Sequence, residues 1–369
     1  MTPGSRGRCR IASARLFAAS LWLIGLAVHA ASLQVQTLTQ PADAGARRFP
    51  FVLSGDARVA QRINDRLFID SFERMAPQEA RVGMREVDAD AWASMPTVDY
   101  GVLRNDSRIL SLQIRAEGCG AYCEEFTVPH AFDAATGRHI EIDDLITTHG
   151  RDAMARMMQE NNLRTMRRQI AALKRAKPLP GKVARDAGED VEERIALLET
   201  CIAERGDASW RNIQGMGKMA IEAQALVFSQ ERCSNHAMRA LDDLGEFSNR
   251  WPFAELRAWL TPYGSTLLLG LGAASTPDAP FGQVLRGVLG ERLAVTVWLR
   301  RLEADGSASG IYFYDRFRRP IQLSGRYRDG VLELSESASE GQWRLRREGT
   351  ALRGTWTDGA KTLPLRVAP

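Results

Sequence analysis

The sequence predicts an α+β N-terminal domain, with an antiparallel sheet, packed helices and a helical hairpin, followed by an all-β antiparallel meander or small barrel. Alternating runs such as "YGVLRNDSRILSLQIRAEG" indicate the antiparallel sheet, because apolar residues recur at every second position between turn residues. Apolar residues at helical spacing indicate the helices. After residue 282 the chain consists of short β-type runs separated by turn residues, which is typical of a meander or barrel.

Residues 1–30 have the composition of a signal peptide. A basic segment with four arginines precedes the apolar run "LFAASLWLIGLAV", and "VHA" places small residues at the cleavage positions. The apolar run is too short to span a bilayer comfortably, which takes about 20 residues. We expect cleavage near Ala30, a periplasmic or secreted location and no stable membrane span.

The leader also accounts for the apparent basicity of the chain. The formal net charge is +4, and the leader contributes four arginines and no acidic residue, so the mature chain is formally neutral. A neutral chain gives no reason to expect nucleic acid as a partner.

Residues 31–264 make up the predicted α+β domain. The strand "RFPFVLSG" leads into a helix whose apolar face includes Val59, Ile63 and Leu67. "EEFTVPHAFDAATGRHIEIDDLI" predicts a strand, a turn and a short strand before a helix start. The segment "NRWPFAELRAWL" predicts a further helix, because Pro252 suits a first helical turn.

A helical portion is predicted over residues 150–205. The prolines of "KPLPGK" divide it into two helices. The first helix is rich in arginine and the second begins with four acidic residues among five. We expect these opposite charges to pair across a helical hairpin. The alternative is that the basic helix forms a binding surface for wall or lipid anions.

Residues 265–282 are rich in Gly, Ala, Ser and Pro and predict a linker to an all-β meander domain at 283–369. Four aromatic residues of this domain are candidate partner-binding residues: Tyr312, Tyr314, Trp343 and Trp356. They either line a ligand cavity or, as is more usual, fill a small barrel.

Four cysteines follow the leader: Cys119, Cys123, Cys201 and Cys233. An even number in an exported chain favours disulfides, and three connectivities are possible. Pairing Cys119 with Cys123 would close a tight loop and leave Cys201 for Cys233. A zinc site would have to combine Cys119 and Cys123 with His130 and His139, at a spacing that is a weak metal signal. A redox site usually has C-x-x-C at a helix start. We expect disulfides and no metal.

The sequence lacks three common catalytic motifs. It has no G-x-S-x-G elbow, no H-E-x-x-H helix and no phosphate-binding glycine loop. We therefore expect no enzymatic activity, no catalytic residues and no cofactor. Glu124 and Glu125 adjoin the cysteine loop on opposite faces of a strand. Together with Tyr122 at the loop tip, they are candidate partner-binding residues.

The stretch "LSLQIRAEGCGAYCEEFTVPHAFDAATGRHIEIDDLI" resembles a bacterial extracytoplasmic domain of unknown function. That domain occurs in a lysozyme-sensing anti-sigma factor and beside peptidoglycan deacetylase domains. Residues 120–122 match the family's loop, "FDAATGR" its turn and "IEIDDLI" its last element. The resemblance extends over residues 47–264 and implies recognition at the cell envelope. It does not imply deacetylase activity, because the deacetylase metal site and catalytic histidine pair are absent. The β-rich region resembles no specific family.

We therefore expect an exported, non-catalytic envelope protein that binds either a protein, such as a lysozyme-like hydrolase, or a cell-wall glycan. One alternative is a small-ligand carrier that uses the C-terminal β-barrel. A second is a cell-wall hydrolase with polar groups around Cys119, Glu124 and His130.

Overall fold

The computed structural model describes most of the chain after residue 32. The described residues are 33–39, 47–79, 95–119, 123–175, 183–206, 216–235, 237–337, 339–359 and 361–369, and side chains are described for all of these except 183–189. The predicted signal peptide, residues 1–30, lies outside them. None of the helices in the described part of the chain is long and apolar enough to cross a membrane.

The N-terminal region begins with an antiparallel pair of strands and one long helix. Strands β1 (Gln34–Thr39) and β2 (Arg48–Leu53) precede helix α1 (Ala57–Phe72). The Asp56 carboxylate accepts a hydrogen bond from the Arg58 amide and caps the helix start. Inside the core, the Asn64 side chain bonds both backbone groups of Val52, at 2.8 and 2.9 Å, and so joins α1 to β2.

A three-stranded antiparallel sheet follows, in the order β3 (Thr97–Asn105), β4 (Ile109–Cys119) and β5 (Cys123–Asp133). The Asp106 carboxylate accepts hydrogen bonds from the amides of Arg108 and Ile109, which closes the β3–β4 turn. The inner half of the β4–β5 hairpin is buried, whereas the first seven residues of β5 are exposed or half-buried. The outer half of the hairpin therefore lies beyond the core.

The helical portion consists of a short helix α2 (Ile142–Leu145) and two long helices, α3 (Thr148–Arg175) and α4 (Val183–Arg205). The expected pairing of charges across the hairpin is largely wrong. Among the described side chains, the one ion pair between α3 and α4 joins Lys174 to Glu199 at 3.4 Å. Arg194 of α4 pairs instead with Asp190 and Asp243.

A second three-stranded sheet covers the helices, with strands β6 (Lys218–Ile221), β7 (Ala225–Gln230) and β8 (Phe247–Pro252). The segment predicted as one helix after Pro252 is instead a series of short turns. It comprises α5 (Phe253–Leu256) and a 3₁₀ turn (Arg257–Trp259), and it is followed by α6 (Pro262–Gly264) and a π turn (Ser265–Leu269). The first five residues of the predicted linker are thus helical, and Leu267 and Leu268 are buried.

The C-terminal region is a closed eight-stranded antiparallel barrel, and the predicted fold class is confirmed. Its strands are β9 (Val284–Leu289), β10 (Leu293–Leu299), β11 (Ser307–Tyr314), β12 (Ile321–Arg328), β13 (Val331–Glu336), β14 (Gln342–Glu348), β15 (Ala351–Asp358) and β16 (Lys361–Ala368). Consecutive strands pair, and β16 pairs with β9. Inward-pointing apolar side chains form one cluster, as expected because eight strands leave an interior that side chains can fill.

Glycines allow the strands of this small barrel to approach closely. A Cβ atom on Gly325 would lie 1.9 Å from the carbonyl oxygen of Glu333, and one on Gly354 would lie 1.9 Å from that of Arg344. No side chain fits at either position without a backbone shift.

The barrel packs directly against the N-terminal region. One apolar cluster combines residues from both: Ile69, Met75, Val284, Trp298, Ile311 and Phe313. Polar contacts surround it. The Arg318 guanidinium donates to the carbonyl oxygens of Met75 (3.1 Å) and Ala76 (2.6 Å). Arg286 pairs with Asp65, whose side chain is fully buried. The two regions therefore share an interface of apolar and ionic contacts.

Candidate functional site

The tip of the β4–β5 hairpin is closed by a disulfide between Cys119 and Cys123. These residues lie directly opposite each other in the strand register, with Cα atoms 4.0 Å apart. A second disulfide joins Cys201 in α4 to Cys233 after β7. The four predicted disulfide cysteines thus form two pairs. Tyr122, predicted at the loop tip, lies outside the described residues.

The hairpin forms one wall of a groove of about 740 Å³, which we call the hairpin groove. Strand register explains which side chains share this wall. Thr97 of β3, Glu117 of β4 and Glu125 of β5 lie side by side in one row, and Asp99, Arg115 and Thr127 lie in the next. The opposite wall comes from the connection between β7 and β8, which contributes Arg232, Arg239 and Glu246.

Both signs of charge occur in the hairpin groove, and some of these charges are already paired. Asp99 lies 3.2 Å from Arg115 and 3.6 Å from Arg48. Glu124 at the tip forms an ion pair with Arg239 from the opposite wall. This contact joins the hairpin to the β7–β8 connection across the end of the groove.

Three acidic side chains of the hairpin groove have no ion-pair partner in the described part of the chain. These are Glu117, Glu125 and Glu246. Glu125 and Glu246 are exposed, and Glu117 is half-buried. Arg232 of the same groove also has no ion-pair partner in the described part of the chain, so three unpaired carboxylates stand against one unpaired cation. This excess of negative charge favours contact with a positively charged surface.

The residues suggested for a hydrolytic centre are not brought together. Glu124 pairs in register with Gly118 and His130 pairs with Leu112, six residue pairs apart on the same ladder. At about 3.4 Å per residue, this spacing is roughly 20 Å. His130 is 2% exposed, and neither ring nitrogen has a hydrogen-bond partner. Burial lowers the pKa of His130 to about 3, partly opposed by the charge of Asp70.

The hairpin tip does not provide thiolate ligands for a metal. The sulfur atoms of Cys119 and Cys123 and a carboxylate oxygen of Glu117 lie within 4.8 Å of one another. Because the two sulfur atoms are bonded to each other, they cannot act as thiolates while the disulfide is intact.

The four aromatic residues predicted in the barrel do converge, but around a residue that sequence analysis missed. The Glu336 Oε1 atom accepts hydrogen bonds from the Tyr312 hydroxyl (2.7 Å) and from the indole N–H groups of Trp343 (3.0 Å) and Trp356 (2.7 Å). The Tyr314 hydroxyl lies 3.5 Å from that of Tyr312. These side chains fill one end of the barrel.

The Glu336 carboxylate is held in its ionised form by these donors. Burial alone would raise the pKa of Glu336, but hydrogen bonds from Ser339 and from the three aromatic residues outweigh burial, so the pKa lies below its usual value. Burial also raises the pKa of the Tyr312 hydroxyl, so Tyr312 remains a donor. A carboxylate with four donors acts as part of the barrel core.

Sequence patterns did not predict Glu336, and they did not predict the residues that the β7–β8 connection contributes to the hairpin groove. Glu336 lies at an inward position of "LELSE", where strand alternation expects an apolar residue. An acidic residue at such a position near several Trp and Tyr residues is a usable signal. Arg232 and Arg239 lie in a loop with no motif, and only the folded chain brings them to the hairpin.

No protein-family model and no curated protein matches the sequence. Among solved structures, the chain is similar to the crystal structure of a DUF3298 family member from Bacteroides fragilis. The two chains are 11% identical, and the match covers 64% of this chain and 96% of the other, with a TM-score of 0.39.

Proposed function

We propose that this chain is an exported, non-catalytic binding protein of the cell envelope, whose hairpin groove engages a positively charged protein such as a lysozyme-like hydrolase. The observation that carries the proposal is that three carboxylates of the hairpin groove, Glu117, Glu125 and Glu246, have no ion-pair partner in the described part of the chain. Opposite charges across an interface accelerate encounter and select the partner.

Three further features support the proposal. The signal-peptide pattern of residues 1–30 and the two disulfides fit an oxidising extracytoplasmic compartment. The disulfide fixes the hairpin tip before binding, which lowers the entropic cost of association. The resemblance of residues 47–264 to a domain of a lysozyme-sensing protein points to the same class of partner.

The barrel provides less support for the alternative of a small-ligand carrier. Tyr312, Trp343 and Trp356 are bonded to Glu336 within a filled interior. We therefore assign partner binding to the hairpin groove.

Calorimetry on the mature chain, residues 31–369, tests the proposal with a lysozyme-type muramidase as the probe. We expect binding that weakens with added salt. The triple variant Glu117→Gln, Glu125→Gln, Glu246→Gln should weaken it by about tenfold or more, because close interfacial charges contribute 1.5 kcal/mol and above.

The matched control carries the same change at exposed carboxylates away from the groove: Glu255→Gln, Glu291→Gln and Glu340→Gln. It should bind as the wild type does. Equal weakening in both triple variants would show a non-specific charge effect and refute the proposed site. If soluble peptidoglycan fragments bound and the muramidase did not, the partner would be a glycan and not a protein.

A further inference from the structure

The long helix α3 has a strongly basic face on the side that is turned away from the core. Between residues 156 and 175 the sequence contains six cationic residues and one acidic residue, Glu160. At about 3.6 residues per turn, the six cations fall within about one third of the helix circumference. All six are exposed: Arg156, Arg164, Arg167, Arg168, Lys174 and Arg175. The buried residues Met158 and Met166 lie on the opposite side of α3.

Part of this basic face is concave, and we call that part the arginine groove. It has a volume of about 430 Å³. The described residues that line it all belong to α3: Glu160, Leu163, Arg164, Arg167, Arg168 and Ala171. Three arginines against one glutamate give the arginine groove an excess of positive charge.

The three arginines of the groove are not neutralised by the described part of the chain. Among the described side chains, Arg164, Arg167 and Arg168 form no ion pair. The ion pair between α3 and α4 joins Lys174 to Glu199 and leaves these three arginines free of contact with the described carboxylates of α4.

This arrangement is unfavourable for the helix on its own. Arg164 and Arg167 are three positions apart, and Arg164 and Arg168 are four positions apart. Side chains at these spacings are neighbours on a helix surface, and like charges there destabilise the helix. An anionic partner in the arginine groove would therefore relieve the repulsion between the arginines.

The basic face does not suit insertion into a membrane surface. A helix that lies in a membrane buries its apolar side among the lipids. The apolar side of α3 lies instead in the protein core, where Met154 and Met158 are fully buried. Within the described part of α3, Met157 is the one large apolar side chain with substantial exposure, at 37%. A concave groove also fits a chain better than a flat bilayer.

The side chains of the groove favour phosphate groups in a linear chain. The planar guanidinium of arginine presents N–H donors in a geometry that matches phosphate oxygens. From Arg156 to Arg175 the basic face extends for about 29 Å, at about 1.5 Å per residue. A chain of phosphate groups can contact several of these arginines at once, and such multivalent contacts raise the overall affinity.

We infer that the arginine groove binds a linear polymer of phosphate groups, which Arg164, Arg167 and Arg168 contact. Arg156, about two turns nearer the start of α3, extends the contact along the same face. The site is separate from the hairpin groove, whose excess charge is negative, and it does not depend on the function proposed for that groove.

Calorimetry on the mature chain, residues 31–369, tests the inference with sodium polyphosphate as the probe. We expect a dissociation constant of about 10 μM or below at low salt, and binding of orthophosphate at least about a hundredfold more weakly. About 0.7 counterions are released per phosphate contact on a single-stranded polyanion. Contacts from four arginines therefore predict a slope of about −3 when the logarithm of the association constant is plotted against the logarithm of the salt concentration.

The triple variant Arg164→Gln, Arg167→Gln, Arg168→Gln links this binding to the groove. It should weaken polyphosphate binding about tenfold or more and reduce the size of the salt slope by about two, because three phosphate contacts are lost. Glutamine is a good helix former, so α3 should remain intact, and circular dichroism checks this.

The matched control carries the same change at three exposed arginines on other elements: Arg58→Gln, Arg292→Gln and Arg319→Gln. None of these three arginines has an ion-pair partner in the described part of the chain. The control variant should bind polyphosphate as the wild type does, with the same salt slope.

Four outcomes would overturn the inference. The first is the absence of polyphosphate binding at low salt, and the second is equal weakening in both triple variants, which would show an effect of net charge alone. The third is equally tight binding of polyglutamate, whose carboxylates lie on flexible side chains that must be ordered on binding. The fourth is binding to vesicles of anionic phospholipid without binding to polyphosphate, which would assign the basic face to a membrane surface.

Discussion

At the scale of single residues, the molecule places carboxylates in two contrasting environments. The Glu336 carboxylate is enclosed by donors and lies inside the barrel, with 9% of the residue exposed. The Glu125 carboxylate is exposed in the hairpin groove and has no ion-pair partner in the described part of the chain. Because donors surround the Glu336 carboxylate, it acts as a structural group. Because the Glu125 carboxylate has no ion-pair partner in the described part of the chain, it is available to another molecule.

We predict that Glu336→Gln destabilises the barrel by about 1–3 kcal/mol at pH 7, because charge-assisted hydrogen bonds from two indoles and a phenol are weakened. The pKa of Glu336 is held below its usual value in the folded state. Its stabilising effect is therefore complete above the unfolded pKa of about 4.3 and is lost as the pH falls through the lower folded value.

Urea denaturation of the wild type and the variant at several pH values measures this contribution. Glu333→Gln on the same strand is the control, since Glu333 is exposed and pairs only with exposed Arg344. The difference between wild type and Glu336→Gln should shrink below about pH 4. A difference that stays constant from pH 7 to pH 3 would contradict the ionic role of Glu336.

At the scale of secondary-structure elements, the two disulfides close chain segments of very different length. Cys119 and Cys123 are separated by four positions and close the end of a hairpin whose register already places them together. Cys201 and Cys233 are separated by 32 positions and connect a helix to the loop after β7. In the chain-entropy model, stabilisation by a disulfide grows with the length of the loop it closes.

We therefore predict that replacing Cys201 and Cys233 by serine lowers the free energy of unfolding by about 3–4 kcal/mol, against about 2 kcal/mol or less for Cys119 and Cys123. Guanidinium denaturation of the two double variants measures both. The Cys119→Ser, Cys123→Ser variant should instead show weaker binding at the hairpin groove. If this variant lost more stability than the other, the hairpin disulfide would be a main support of the fold.

Sequence patterns predicted elements better than they predicted the contacts between them. The β4–β5 hairpin and the eight strands of the barrel follow from local alternation and turn residues, which act over a few positions. The helix expected after Pro252 ends at Trp259, because Leu260 is extended and forms a β-bridge with Ile146. Such tertiary contacts override local helical preference.

In the candidate site, too, sequence patterns predicted local features but not the contacts between distant segments. Glu124 and Glu125 were predicted because they adjoin two cysteines. The contact of Glu124 with Arg239 and the position of Glu246 in the same groove were not predictable, because Arg239 and Glu246 are more than one hundred positions away in the sequence. The predicted ion pairs between α3 and α4 are largely wrong because composition does not specify which faces of the two helices meet.

At the scale of the whole molecule, the barrel is docked firmly on the N-terminal region. Burial raises the pKa of Asp65, and the charge and hydrogen bond of Arg286 oppose this rise. Arg66 stacks over Trp298, with the guanidinium carbon 4.5 Å from the ring centroid. Apolar contacts around Trp298 lie next to these charged contacts. The two regions therefore stabilise each other.

We predict that Arg286→Met uncouples the two regions. Asp65 would remain buried with only the Ala76 amide and the Gln61 side chain as donors. We expect the free energy of unfolding to fall by about 1–3 kcal/mol. This loss is smaller than for a fully buried ion pair, because Arg286 is 42% exposed. Calorimetric unfolding should change from one transition to two, and proteolysis within residues 270–280 should accelerate. Arg366→Met, on the neighbouring strand, is the control and should retain a single transition.

Closure of the barrel sets an order of events in folding. All neighbouring strands in the barrel are consecutive in the sequence except β16 and β9, where Leu365 lies opposite Leu289. The local hairpins can form early, but the last pairing requires the whole segment and carries the highest entropic cost. Until β16 is in place, β9 and β15 have free edges that can pair with strands of other chains. We therefore expect the pairing of β16 with β9 to be the step that removes the last free edges of the barrel.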